Sequence, residues 1–207
     1  MDHAARSGPK HTGHPTRMTV VNDLKNLEGQ CLIAMPDMPD SRFQGSVIYI
    51  CTQGPDGAMG LIINKPADDV RLKDLMQQLS IETNAAFIDR KVYFGGPVEH
   101  SRGFILHDSD YHSDLSSIAV TQDVSMTATT DILDDIALGK GPKLSLVTLG
   151  YAGWGPGQLE KEISANGWLV AELGTDIIFK LPSFEKWSAA LGVLGISPAL
   201  LSGGGSA

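Results

Sequence analysis

The sequence predicts an α+β fold: a mixed, largely antiparallel sheet with helices, in a single domain. Three observations carry that reading. Strand-like runs of β-branched and apolar residues come in pairs joined by short turn-rich segments, which favours hairpins. Helical patterns fall between the strands without a strict strand–helix–strand rhythm, which argues against a doubly wound parallel sheet. No linker or internal repeat divides the 207 residues between the two ends.

In chain order, Cys31-Leu32-Ile33-Ala34-Met35 reads as a strand stopped by Pro36. Residues 46–52 and 58–64 are apolar runs around Gln53-Gly54-Pro55-Asp56-Gly57, a hairpin turn. Leu72, Leu75, Met76 and Leu79 recur at helical spacing. Residues 91–94 and 103–107 predict strands around Gly95-Gly96-Pro97, a sharp turn with one glycine at positive φ. Residues 118–122 and 124–127 suit another hairpin, and Asp131 opens a helix closed by Gly139. The unbroken apolar run 144–149 predicts a central strand buried on both faces. A helix is expected from Pro156 to Ala165, ended by Asn166-Gly167, then strands at 168–171 and 177–179. Helices at 183–191, with Ser183 as N-cap, and 198–201 complete the domain.

Composition narrows the function classes. The chain is 42% hydrophobic and 19% charged, and no run of eighteen apolar residues suggests a membrane span. Without an apolar leader, a cytoplasmic location is expected. The two cysteines, Cys31 and Cys51, sit in apolar runs and read as buried free thiols. Residues 1–17 read as a disordered tail and 202–207 as a flexible end, which leaves 18–201 as the domain. The tail holds three of the 16 basic residues and one of the 24 acidic ones, so the rest stands at −10. So acidic a body lacks the electrostatic footprint of a nucleic-acid binder.

The richest motif is Leu149-Gly150-Tyr151-Ala152-Gly153-Trp154-Gly155-Pro156-Gly157-Gln158-Leu159-Glu160. It reads as a corner from strand to helix, with glycines that admit a close ligand and a helix start suited to an anion. Tyr151 and Trp154 are positioned to stack on a planar ring, or to pack into the core. The phosphate fingerprints are missing: no Gly-Lys-Ser/Thr closes the loop, and the glycines do not follow G-x-G-x-x-G. The candidate ligand site is therefore Gly95, Gly96, His107, Tyr151, Gly153, Trp154, Gly155, Gly157 and Gln158, provided that the two glycine corners converge. His107-Asp108-Ser109-Asp110-Tyr111-His112-Ser113-Asp114 reads as a polar loop, since its spacing matches neither a His-Glu-x-x-His helix nor a calcium loop. No nucleophile elbow and no Ser-x-x-Lys occurs, and no cofactor is implied.

Gly29-Gln30-Cys31-Leu32-Ile33-Ala34-Met35-Pro36, Gly57-Ala58-Met59-Gly60-Leu61-Ile62-Ile63-Asn64-Lys65-Pro66, Gly95-Gly96-Pro97-Val98, Arg102-Gly103-Phe104-Ile105-Leu106-His107 and the long glycine motif carry a resemblance to the YqgE/AlgH family of bacterial proteins. The resemblance runs from about Leu27 to Leu201 and implies a barrel-like sheet flanked by helices, with Met18 as the start. It implies no established activity, although one branch is labelled a putative transcriptional regulator. Where family members commonly carry Cys-Glu-His, this chain has Cys51-Thr52-Gln53, and its ending Gly204-Gly205-Ser206-Ala207 also lacks a histidine. Together these readings point to a non-enzymatic regulatory module that binds a small molecule or protein partner. The alternatives are an enzyme acting on a phosphorylated or carboxylated metabolite, with the 150–158 corner as anion site and His107 as acid or base, and a direct DNA-binding regulator, which the charge disfavours. Oligomeric state stays open.

Overall fold

The computed structural model describes residues 24, 26–112 and 117–201. The expectations for the two tails and for a start at Met18 lie outside the described residues. The fold is α+β, as expected: a curled, largely antiparallel half-barrel of ten strands flanked by helices.

The strands are β1 (Cys31–Ala34), β2 (Val47–Gly54), β3 (Gly57–Ile62), β4 (Pro66–Arg71), β5 (Lys91–Phe94), β6 (Val98–Asp108), β7 (Ser117–Ala119), β8 (Val124–Thr127), β9 (Ser145–Trp154) and β10 (Trp168–Ala171). The helices are α1 (Leu72–Gln78), α2 (Asp131–Ala137), α3 (Gln158–Ser164), α4 (Ser183–Val193) and α5 (Pro198–Leu201). The sheet runs β10-β1-β2-β3-β9-β6-β8-β7. β5 lies parallel to the first half of β9 and carries β4 on its other side. No helix among the described residues is long and apolar enough to cross a membrane.

Period-two alternation divides the core into three. Cys31, Ile33, Val47, Tyr49, Cys51, Leu61, Phe104, Leu106, Val124 and Met126 face the concave side, where Ala190 and Leu191 of α4 plug the half-barrel. Leu32, Ala34, Ile48, Ile50 and Ile62 face outward and are covered by Leu159 of α3, Trp154 and Trp168. Ile105 and Val147 face outward farther along the sheet, under α1 and α2. These strands are buried on both faces, which is why they read as unbroken apolar runs.

Four local expectations are corrected. β9 does not turn at Leu149 but continues through the glycines to Trp154. Gly150, at φ +72°, marks the point where one edge of β9 exchanges β5 for β3 as its partner. The helix after it begins at Gln158 rather than Pro156, because Gly157 takes a left-handed conformation at φ +67°. Residues 177–179 belong to a π-helical turn (Asp176–Lys180) instead of a strand: Ile178 is buried against the concave core, and its backbone bends to meet α4. Ser183 is the first residue of α4, with Pro182 in the cap position, and its hydroxyl donates to the Tyr93 hydroxyl at 3.3 Å. One strand had no counterpart in the sequence reading. β4, Pro-Ala-Asp-Asp-Val-Arg, is a largely exposed edge with no apolar alternation.

Candidate functional site

The β2–β3 hairpin is hydrogen-bonded through β3 to the last third of β9, and a cavity of about 590 Å³ is lined by the hairpin and that end of β9. That is within the usual range for a small-molecule site. Register sets its walls: Met59 faces Gly153 and Ala58 faces Trp154 across the β3–β9 ladder. Thr52, Gln53 and Asp56 come from the hairpin, while Tyr151, Gly153 and Trp154 come from β9. Gly153 has no side chain, so the floor stays low beside the Tyr151 ring. That ring stands edge-on to Phe104 at 5.6 Å, and the Arg102 guanidinium lies over Phe104 at 5.1 Å. Asp56 is the sole carboxylate among the lining residues, and no Lys, Arg or His joins it.

Trp154 lines the cavity but is anchored away from it. Its indole N–H donates to Glu162 Oε2 at 2.9 Å, and the Trp168 indole donates to the same oxygen at 2.8 Å. The two rings meet edge to face at 6.1 Å, and Trp154 is only 6% exposed. Gln158 completes the cluster: its amide donates to Glu162 Oε1 at 2.9 Å, and its carbonyl oxygen accepts the Gly155 N–H at 3.0 Å. One carboxylate thus orients two indoles and closes the 155–158 turn. Glu162→Ala orphans two indole donors and is expected to destabilise the fold by about 2–4 kcal/mol. A urea midpoint unchanged from the parent chain would show that these bonds carry no weight.

The groups that an anion would use at this corner have partners or company of their own. The Gly155 N–H is taken by Gln158, and Glu160 stands in the first turn of a helix only seven residues long. Glu160 also accepts from Gln53 Nε2 at 2.7 Å, while Gln53 Oε1 accepts the Leu27 N–H at 2.6 Å. Gln53 therefore ties the hairpin to α3 and to the chain before β1. Sequence reasoning treated it as a turn residue, and nothing in its local pattern marks the role.

The two glycine corners do meet, by backbone contact. A Cβ on Gly95 would lie 2.3 Å from the Gly150 carbonyl oxygen, and one on Gly96 would lie 2.1 Å from the Tyr151 carbonyl carbon. The Gly95 N–H donates to Leu149 O, and Gly95 O accepts from Ile62 N. These glycines let three strands converge in close backbone contact.

His107 lies elsewhere. It pairs with Ser145 at the start of β9, eight residues and roughly 26 Å of extended chain from Gly153. It is fully buried, its Nδ1–H donates to Asp108 O at 2.7 Å, and its Nε2 accepts from Thr127 Oγ1 at 3.0 Å. That tautomer follows from the carbonyl partner, which can only accept. Burial holds its pKa below the ordinary histidine value, consistent with a neutral ring packed edge-on to Tyr111 at 5.3 Å. His107 is thus separated from the cavity that holds Tyr151, Gly153 and Trp154, and both nitrogens are occupied. Asp108 closes β6, residues 109–112 form a polar loop, and residues 113–114 fall outside the described residues. Among the described residues, no three His, Cys, Asp or Glu side chains are grouped to hold a metal ion. Cys31 and Cys51 are free and buried, and burial pushes both thiols well up, away from reactive thiolate.

Residues 31–199 match a family model described as AlgH-like. A UPF0301 protein from Ruegeria pomeroyi is 53% identical over 178 residues, covering 86% of this chain and 96% of the relative. Another, from Paracoccus denitrificans, is 50% identical over 179 residues, covering 86% and 94%. The solution structure of the AlgH protein from Pseudomonas aeruginosa superposes with a TM-score of 0.73 at 39% identity, covering 89% of this chain and 97% of that one. A crystal structure of a protein from Corynebacterium diphtheriae, at 21% identity and a TM-score of 0.61 over 79% and 84%, shares the fold. The chain belongs to the AlgH-like family.

Proposed function

We propose that this AlgH-like chain is a non-enzymatic binding module whose site is the cavity between the β2–β3 hairpin and the glycine-bearing end of β9. The observation that carries the reading is the composition of that cavity. It offers hydroxyls, an amide, one carboxylate and small apolar surface, and no base–nucleophile pair. Those groups suit a small neutral or cationic ligand. A phosphorylated substrate would find no cation in the cavity. The enzyme reading also needs His107 beside the bound molecule, and His107 is not among the residues that line this cavity. Regulation follows if ligand binding alters how the hairpin presents its tip to a partner protein. The acidic charge favours such an indirect route to transcription over contact with DNA.

A thermal-shift screen of the full chain against neutral and cationic metabolites tests the proposal. A ligand that binds only the folded state adds about 2.7 kcal/mol at a hundred times its Kd. The expected hit raises Tm in the parent chain and loses its effect in Tyr151→Phe and Asp56→Asn, two variants that leave the Glu162 cluster intact. Hits confined to anions, or hits indifferent to both substitutions, would contradict the assignment.

A further inference from the structure

We propose that a second cavity, at the mouth of the half-barrel where α4 begins, binds a small monocarboxylate with an aromatic or aliphatic body. It has a volume of about 450 Å³ and shares no lining residue with the first. Lys91 and Tyr93 project into it from one face of β5. Phe179 and Lys180 of the π-helical turn and Phe184 of α4 form the facing wall.

Charge selects the anion. The chain holds 24 acidic against 16 basic residues, yet the ionisable side chains lining this cavity are two lysines and a tyrosine. Lys180 is already matched by Asp176 at 2.7 Å. Lys91 has no carboxylate partner among the described residues, so one cation is left over. A single net charge suits a carboxylate better than a phosphate dianion.

The phenol adds direction. Tyr93 accepts a hydrogen bond from Ser183 Oγ at 3.3 Å, which leaves its own O–H without an acceptor among the described residues. On the ring's face sits the Lys186 ammonium, 5.6 Å from the centroid. Lys186 is fully buried and donates to Ile63 O at 2.9 Å and Ile178 O at 2.6 Å, with no carboxylate beside it. The apolar body has its own partner: Phe184, 83% exposed, is the most exposed large hydrophobic side chain among the described residues.

The experiment is calorimetric titration of the whole chain with 2-naphthoate and with its neutral counterpart 2-naphthalenemethanol. The acid is expected to bind at least about tenfold more tightly than the alcohol. Lys91→Met and Tyr93→Phe should each weaken the acid by about tenfold and leave the alcohol unchanged. Tyr93→Phe keeps the ring over Lys186, so an unchanged Tm confirms that its effect is local. Three results overturn the proposal: equal affinity for acid and alcohol, no saturable binding of naphthoate, or binding indifferent to both substitutions. Displacement of naphthoate by inorganic phosphate more readily than by benzoate would overturn the choice of a monocarboxylate.

Discussion

Gly96→Ala is expected to leave the chain largely unfolded, a loss of at least about 4 kcal/mol. Gly96 sits at φ +154°, and an added methyl group would meet the Tyr151 carbonyl carbon at 2.1 Å, the Ala152 nitrogen at 2.3 Å and the Tyr151 carbonyl oxygen at 2.3 Å. All three are backbone atoms of β9. That strand is held by β6 on one edge and by β5 and then β3 on the other, so it cannot recede without breaking ladders on both sides. Gly157→Ala is the matched control. Its φ of +67° is also left-handed, but nothing lies within 4 Å of the new Cβ. That variant pays only backbone strain, about 1–2 kcal/mol. Urea denaturation of the two variants separates the explanations. Equal midpoints would mean that close approach is not what requires glycine at 96.

Lys186→Ala is expected to cost about 3–5 kcal/mol. The lysine fills space beside the Tyr93 ring at the mouth of the concave core, and its ammonium satisfies the Ile63 and Ile178 carbonyls. Alanine leaves a cavity and two orphaned acceptors. Lys186→Met keeps most of the volume and should lose less, roughly 1–3 kcal/mol, while it removes a titration. Burial pulls the Lys186 pKa down from its ordinary 10.5 to about 8. Between those values the unfolded chain binds the proton and the folded chain does not. Stability from this residue therefore rises with pH across the window, by up to roughly 3 kcal/mol, and below pH 8 the cost of burying the cation is fully present. Cys31, Cys51 and Tyr49 act in the opposite direction above about pH 9, because burial holds them protonated in the folded chain only. Those groups are common to both chains, so the difference between parent and Lys186→Met isolates the lysine. A difference flat from pH 8 to 10.5 would refute the coupling.

Much of the fold was legible because two-sided burial writes itself into composition. The runs at Cys31–Ala34 and around Val147 are apolar on both faces, and the first hairpin carries turn residues at its tip. β4 was not legible, since an exposed edge strand needs no apolar alternation and takes its order from β5. Residues 177–179 misled for the opposite reason. Two isoleucines and a phenylalanine suit a strand locally, but the chain there must curl to put Ile178 in the core and its carbonyl on Lys186.

The candidate site divides along the same line. Tyr151, Gly153 and Trp154 were singled out by an unusual motif, and all three line the first cavity. Thr52, Gln53 and Asp56 complete it from a hairpin nearly a hundred residues away in sequence, a pairing that no local pattern specifies. His107 drew attention as an imidazole at a strand end, and packing turned it into a core residue with both nitrogens occupied. Lys186 drew none, because a lysine within a helical pattern reads as solvated.

By itself the sequence determined the α+β class, most of the strands and helices, the family, and a turn at Gly95-Gly96-Pro97 with one glycine at positive φ. Each of these rests on local periodicity, on backbone sterics or on motif identity, and all three are properties of neighbouring residues. Only the tertiary structure decided that Gly150 is a change of strand partner rather than a corner, that Glu162 binds two indoles, that His107 is sealed, and that a buried ammonium lies behind Tyr93. Those outcomes depend on contacts between segments 6 to 123 residues apart. Their energies are set by which buried polar groups find partners once the sheet has curled.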